Sequence, residues 1–238
     1  MVPNLQLLPG LLNRLLKLIS LRESQSYKNK YYKDDMTQTI QNHFVRIYQN
    51  AVPDELCDNF IKIFDSAGPH KIDINETYLK CSKLEIPNSH MMNETEPLYQ
   101  QFHEILKNLV TNYKNDIGTD VGGSTLNFCG LIEKPNIYCY RADGQAKQFF
   151  HDHADCWNFD AATRQVSIIA YLNDVDVGGE LVFPYYSIRI KPKRGSILMY
   201  PSFYTHTNHI EPPVSNNEYF VATWLHFTGA THYLTYNL

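Results

Sequence analysis

The chain is poor in the features that mark several protein classes. Only five of its 238 residues are cysteine, at 57, 81, 129, 139 and 156, an odd count with no C-x-x-C pair. Neither a disulfide framework nor a zinc ribbon is indicated, and a reducing, cytoplasmic setting is expected. Basic residues are not in excess. Lys and Arg number 21 against 25 Asp and Glu, a formal charge of −4, which argues against an electrostatic nucleic-acid binder. Glycine is scarce, at 11 residues, and aromatic side chains reach 13%, which excludes a low-complexity or largely disordered chain. Long apolar runs are missing too. Residues 1–21 are Leu-rich but broken by Pro3, Pro9 and Gly10 and carry Arg14 and Lys17, too interrupted for a membrane span. The same stretch lacks the small-residue cleavage site of a signal peptide, so none is expected.

What is present divides in three. Residues 1–42 read as an N-terminal extension in which 11–22 can form a short basic amphipathic helix, for docking on a protein surface or touching a membrane, followed by a polar linker. Residues 43–230 read as one domain, and 231–238 as a tail. Within the domain, Phe44–Tyr48 alternates like a short strand. Pro53 opens a helix burying Leu56, Cys57, Phe60, Ile61 and Phe64, which Gly68-Pro69 stops. Residues 69–95 show no period and read as irregular. From Pro97, the residues Leu98, Phe102, Ile105, Leu106, Leu109, Val110 and Tyr113 recur at helical spacing through Lys114. After Gly122-Gly123 the pattern turns to short Ile/Val/Tyr/Phe-rich strands, at 126–132, 136–141, 165–172, 180–183, 186–191, 196–200 and 218–227. Such strands after two helices predict a mainly β sandwich or barrel with supporting helices.

Of ten histidines, four fall in two tight clusters, His151/His153 and His206/His209. On extended backbone, residues i and i+2 point the same way, so His153 and Asp155 can hold one metal between them. Two His and one carboxylate on one face, with positions left open, is the arrangement of non-haem Fe(II) oxygenases. One H-x-D triplet in a chain with ten histidines carries little alone, and solvated loop histidines are the competing reading.

The surroundings of that triplet resemble the prolyl-4-hydroxylase-like branch of the Fe(II)/2-oxoglutarate dioxygenases over about residues 44–228. Val52-Pro53-Asp54-Glu55-Leu56-Cys57 looks like the helix that opens the branch's domain. Tyr140, Gly144 and Gln145 look like its Y-x-x-G-Q run, and Phe150 stands where an aromatic precedes the first ligand. Arg164 through Tyr171-Leu172-Asn173-Asp174-Val175 matches R-x6-Y-L-N-D-V. Gly178-Gly179-Glu180-Leu181-Val182-Phe183-Pro184 matches G-G-E-x-x-F-P, and Pro192 through Leu198 matches P-x-x-G-x-x-L. The resemblance implies a double-stranded β-helix (jelly-roll, cupin-like) core at about 126–228. It also implies iron held by His153, Asp155 and a distal histidine, with 2-oxoglutarate, O2 and ascorbate as reductant. Tyr140, Tyr171 and Arg164 would serve the co-substrate. The implied activity is hydroxylation of an unactivated C–H, at a prolyl residue of a peptide or protein. Lysyl, nucleobase or small-metabolite substrates, or a catalytically silent binding module, are the alternatives.

Two departures from the family pattern stand out. The distal ligand is either His209, four before Pro213 as in H-x-x-x-P, or His206, five after Pro201; the downstream spacing favours His209. In the His209 frame, residue 218 should be the Arg or Lys that pairs with the far carboxylate of 2-oxoglutarate. Here it is Glu218, which would repel that carboxylate, and Arg164 is the expected replacement cation. Of the other conspicuous residues, Cys156 reads as an inert buried thiol beside the metal pair. The run Arg189, Lys191, Lys193, Arg194 reads as the solvated face of a strand.

Overall fold

The computed structural model describes residues 38–40, 43–121, 125–142 and 150–227. The chain divides into two units, 1–36 and 37–238, and all described residues belong to the second. The expected amphipathic helix at 11–22, the Gly144-Gln145 run and the tail at 231–238 lie outside the described residues.

Two antiparallel sheets face each other. The larger runs β1 (Gln38–Ile40), β2 (Arg46–Tyr48), β11 (Ile197–Pro201), β8 (Arg164–Tyr171), β13 (Glu218–Phe227), β6 (Asn136–Tyr140), β4 (Lys80–Glu85) and β3 (Ile72–Asn75), with β5 (Cys129–Ile132) also on β13. The smaller runs β10 (Ile188–Ile190), β9 (Leu181–Phe183), β12 (Asn208–Ile210) and β7 (Phe150–His153). This is the predicted jelly roll. Its core forms from side chains of alternate positions: Tyr138 and Tyr140, Ile169 and Tyr171, Leu198 and Tyr200, Phe220, Ala222 and Trp224, with Leu181, Phe183 and Ile210 opposite.

Strand β8 is buried on both faces, which is why its sequence reads as a near-continuous apolar run rather than an alternation. Two helices lie on the far side of the large sheet. They are α1 (Asp54–Ser66) and α2 (Met92–Val121), joined by an edge-to-face contact of Phe60 and Phe102 with centroids 5.7 Å apart. Two tyrosine hydroxyls tie α2 to the sheet region: Tyr113 donates to the Phe44 carbonyl at 2.9 Å, and Tyr48 donates to Asp116 at 2.9 Å.

Three expectations change. Helix α2 begins at Met92, before Pro97, and runs past Lys114 to Val121. A proline this close to the N-terminus removes only one ladder bond. The preceding turn is tied by Thr95, whose hydroxyl accepts from the Asn88 amide at 2.9 Å and donates to the Met91 carbonyl at 2.7 Å. Residues 69–95, expected to be irregular, contain β3 and β4. Neither has a clean two-residue alternation, and both are held by ladders, β3 to β4 and β4 to β6. Strand β1 falls within the expected linker, paired to β2.

Candidate metal and co-substrate site

The smaller sheet and β8 bring His153 and Asp155 together at one end of the jelly roll. His153 Nδ1 lies 2.8 Å from the His151 carbonyl oxygen, which can only accept, so that nitrogen carries the proton. Nε2 points inward, 3.4 Å from Asp155 Oδ1, where it carries a proton toward the carboxylate or, with that proton lost, a lone pair toward a cation. The Phe150 ring stacks on the imidazole with centroids 3.4 Å apart and fixes its plane. Asp155 is buried, and its Oδ2 accepts hydrogen bonds from the Ser167 hydroxyl and, at 3.0 Å, from the Tyr200 hydroxyl. Burial alone would raise its pKa. His153 and the two hydroxyls more than offset that and hold the carboxyl below its ordinary value of 3.8. The pair enters an interior cavity of about 50 Å3, lined also by Tyr138, Tyr140, Asn208 and Trp224.

Neither expected distal histidine joins them. In the ladders of β12, Asn208 lies opposite His153, His209 opposite Val182 and Ile210 opposite Leu181. Directly paired residues share a sheet face, so Asn208 and Ile210 point inward and His209 outward. His209 Nδ1 sits 2.7 Å from Asp152 Oδ1 on the exposed side. His206 is buried elsewhere, with Nε2 2.6 Å from the His43 carbonyl oxygen and Nδ1 3.0 Å from the Thr205 hydroxyl. It lines a separate apolar pocket with Phe44, Tyr113 and Tyr186. The reason is parity. A one-residue offset in a strand exchanges its faces, and an irregularity in the β12–β7 ladder separates the spacing to Pro213 from the register facing His153.

The residue facing His153 and Asp155 is Asn208, which the sequence reading passed over. Its Nδ2 donates to the His206 carbonyl at 3.1 Å, which leaves the amide oxygen as the atom available to a cation. The available signal was its placement two before the inward Ile210, in phase with the core.

Arg164, expected to serve the co-substrate, is committed elsewhere. Its guanidinium grips Glu133 through two hydrogen bonds of 2.9 and 2.7 Å, stacks on the Trp224 ring at 3.6 Å, and donates to the Asp155 carbonyl at 3.3 Å. It lies at the opposite end of β8 from Tyr171. His226 completes the cluster, 2.8 Å from Glu133. Arg164 here braces the cavity wall through Trp224 and the turn that carries Asp155.

Tyr140 and Tyr171 do face the core, with Glu218 beside them. Glu218 is 1% exposed; its two carboxyl oxygens and the Tyr171 hydroxyl have no hydrogen-bond partner among the described residues. Burial, and secondarily the charge of Glu180, push the Glu218 pKa well above its ordinary 4.5. Burial also pushes the Tyr171 phenol well above 10.0. The backbone closes tightly on this end. Gly178 and Gly179 both have positive φ, of 77° and 76°, and a Cβ at Gly179 would stand 3.0 Å from Glu218 Oε2.

Outside the metal pair lies a cleft of about 290 Å3 lined by Tyr78, Phe150, His151, Asp152, His153 and Trp157. The Trp157 ring is 63% exposed and its centroid lies 6.5 Å from that of Tyr78.

These residues fit iron in part. An imidazole nitrogen and a carboxylate oxygen face one another at a separation that two ligands of one cation, with bonds of about 2.0–2.2 Å, can have. The third inward position offers a neutral amide, and among the described residues no three His, Cys, Asp or Glu side chains converge. A second carboxylate, as on 2-oxoglutarate, does not fit the Glu218 end, where no described cation offsets the buried acid.

Comparison with known proteins agrees with this architecture. Residues 135–226 match the sequence model of the 2OG-Fe(II) oxygenase superfamily. No curated protein matches the chain. Among solved structures, a prolyl-4-hydroxylase of Pseudomonas putida is 16% identical, with a TM-score of 0.58, over 79% of this chain and 95% of its own. A Trichoplax adhaerens prolyl hydroxylase, in complex with a hypoxia inducible factor peptide fragment, is 16% identical with a TM-score of 0.59, over 82% and 89%. The viral collagen prolyl hydroxylase of Paramecium Bursaria Chlorella virus-1 is 16% identical with a TM-score of 0.52, over 79% and 98%. The likeness to the 2OG-Fe(II) oxygenase superfamily thus holds in sequence over residues 135–226, and the likeness to the prolyl hydroxylases holds in fold over most of the chain.

Proposed function

We propose that the protein is an iron-dependent oxygenase that hydroxylates an unactivated C–H bond, at a prolyl residue of a peptide or protein segment. One observation carries the reading: half-buried His153 and buried Asp155 meet beside a cleft walled by Tyr78, Phe150 and Trp157. Prolyl rings dock on aromatic faces, and such a cleft holds an extended segment with one residue turned toward the pair. The superfamily match over 135–226 supports oxygenase chemistry, and the prolyl hydroxylases that share the fold support the substrate class. Iron supplies the activation of O2 when bound. His153 and Asp155 would hold it, Ser167 and Tyr200 keep Asp155 ionised, and Phe150 fixes the imidazole. Ile169, Phe220 and Trp224 line the cavity and exclude water from it. A cytoplasmic setting is part of the proposal, and cell fractionation is its test.

The test is incubation of the chain with Fe(II), O2, ascorbate, a panel of 2-oxo acids and proline-containing peptides, read by mass spectrometry. The expected result is a peptide gain of one oxygen, drawn from O2 and abolished by His153→Ala. A second reading is favoured by Asn208 and Glu218 together: a jelly-roll module that binds such segments without turning them over. Peptide binding with no mass gain, insensitive to His153→Ala, would decide for it.

A further inference from the structure

A second cleft lies on the far face of the large sheet, apart from the metal pair. It measures about 380 Å3 and opens between α2 and the ends of β8 and β11. Tyr113 and Ile117 of α2, with Val166, Tyr186, Pro201 and Phe203, give it apolar walls. Val166 and Pro201 stand side by side in the β8–β11 ladder, next to the pair Ser167 and Tyr200. Successive residues of a strand face opposite ways. The hydroxyls of Ser167 and Tyr200 therefore reach Asp155 on one face, while Val166 and Pro201 line this cleft on the other. Among the described residues the two linings have no member in common.

One polar atom interrupts these walls without being matched. Gln165 is 7% exposed and lines the cleft. Leu225 and His226, consecutive on β13, lie opposite Val166 and Arg164. Gln165 is thus the extra residue of a β-bulge, which turns its side chain out of the alternation. Its Nε2 faces the carbonyl oxygens of Thr163 and Arg164 at 3.4 and 3.3 Å. Those oxygens can only accept, so the amide orientation is fixed and Oε1 points away from them, where no hydrogen bond reaches it among the described residues. The other polar groups of the lining are engaged: Tyr113 donates to the Phe44 carbonyl, and both ring nitrogens of His206 have partners. Lys114, which donates to the Cys129 carbonyl, is the charged member of the described lining, with no carboxylate beside it there.

We propose that this cleft binds a small, apolar, ring-bearing molecule with a hydroxyl head that donates to Gln165 Oε1. Its volume falls in the range of roughly 300–1,000 Å3 typical of small-molecule sites, and such sites pair apolar walls with a few placed polar groups. Tyr113, Tyr186 and Phe203 offer rings for a ring to pack on. A donor completes the amide oxygen, and the Lys114 ammonium disfavours a cationic head. The proposal is independent of the oxygenase reading, since the ligand touches neither His153 nor Asp155.

The probes are para-butylphenol and its methyl ether, which lacks the donor. Each is titrated calorimetrically into the whole chain without added metal. The phenol is expected to bind about tenfold tighter, the ratio that one matched buried hydrogen bond supplies. Gln165→Met, which keeps the length and removes the acceptor, should bring the two affinities together. Equal or tighter binding of the ether to the unaltered chain overturns the proposal. So does a preference that survives in Gln165→Met, or no binding of the phenol. If Gln165→Met does not fold, Ile117→Trp narrows the cleft from the helix side and should weaken both probes; affinities unchanged by it overturn the proposal.

Discussion

The two ends of one pair of strands treat a buried carboxyl group in opposite ways. At the His153 end, Asp155 accepts hydrogen bonds from Ser167 and Tyr200 and faces an imidazole, so it stays ionised in the core. Four residues along β8, Glu218 and Tyr171 share the same inner face, and none of their terminal oxygens is matched. At the first end the carboxylate's hydrogen bonds are matched; at the second, none is matched among the described residues. Burial is nearly the same, so the difference lies in hydrogen-bonding neighbours and in nearby charge, His153 beside Asp155 and Glu180 beside Glu218.

Each end can be disturbed separately. The largest effect is expected at the matched end. Asp155→Asn keeps the shape but removes the anionic donor, and affinity for Fe(II) or Mn(II) should fall at least 100-fold by equilibrium titration. A carboxylate that turns out dispensable would remove the metal reading.

Next in size is a test of the closed backbone beside the unmatched end. Gly178→Ala places a Cβ 2.3 Å from the Pro212 carbonyl at a positive φ, which no small shift relieves. A loss of about 2–4 kcal/mol in denaturant unfolding is expected, from strain plus overpacking.

Glu218→Met sharpens the comparison itself. Replacing an unmatched buried acid by an apolar side chain of similar length should stabilise the chain by about 1–3 kcal/mol near pH 7. The sign with pH follows from the raised pKa of Glu218. The stability tied to its protonated form is present below about 4.5 and is lost as pH rises through the folded pKa. The advantage of Glu218→Met should therefore grow as pH rises above about 4.5. Asp155 works the other way. Its lowered pKa gives stability present above its ordinary 3.8 and lost as pH falls through the folded value. An advantage of Glu218→Met that is flat in pH would mean Glu218 is not the buried acid described.

The smallest effect is expected outside the cavity. Trp157→Ala removes an exposed ring from the cleft wall and should raise KM for a peptide substrate about three- to tenfold, consistent with an exposed aromatic contact of roughly 0.5–1.5 kcal/mol, with kcat unchanged. In the binding-module reading the same change appears in Kd.

The jelly roll was legible in the sequence because its central strands are strongly marked. Val166–Leu172 is apolar on both faces, and Gly178-Gly179 marks a turn that only glycine makes comfortably. His153 and Asp155 were legible because they stand two positions apart, His153 ending β7 and Asp155 in the turn that follows it. The third inward position was not. It depends on the register of β12, three residues long, against two other strands, and a three-residue strand is too short to show its period. Counting back from Pro213 reaches His209, one step from the residue that faces in. Arg164 misled for a related reason. Its place on β8 was read correctly, but its partner Glu133 lies 31 positions away and carries no local signal. The anomaly at Glu218 was visible as a residue of unexpected sign; that both its oxygens lack partners among the described residues is a property of the packed core.

The candidate site depends on which residue of β12 faces His153 and Asp155. Fe(II) affinity of the unaltered chain, Asn208→His and His209→Ala, measured anaerobically by equilibrium titration, tests this most directly. Asn208→His should bind at least tenfold tighter than the unaltered chain, since an imidazole replaces a neutral amide beside His153 and Asp155, while His209→Ala should bind as the unaltered chain does. Loss of iron in His209→Ala, with no gain in Asn208→His, would contradict the register and the site built on it.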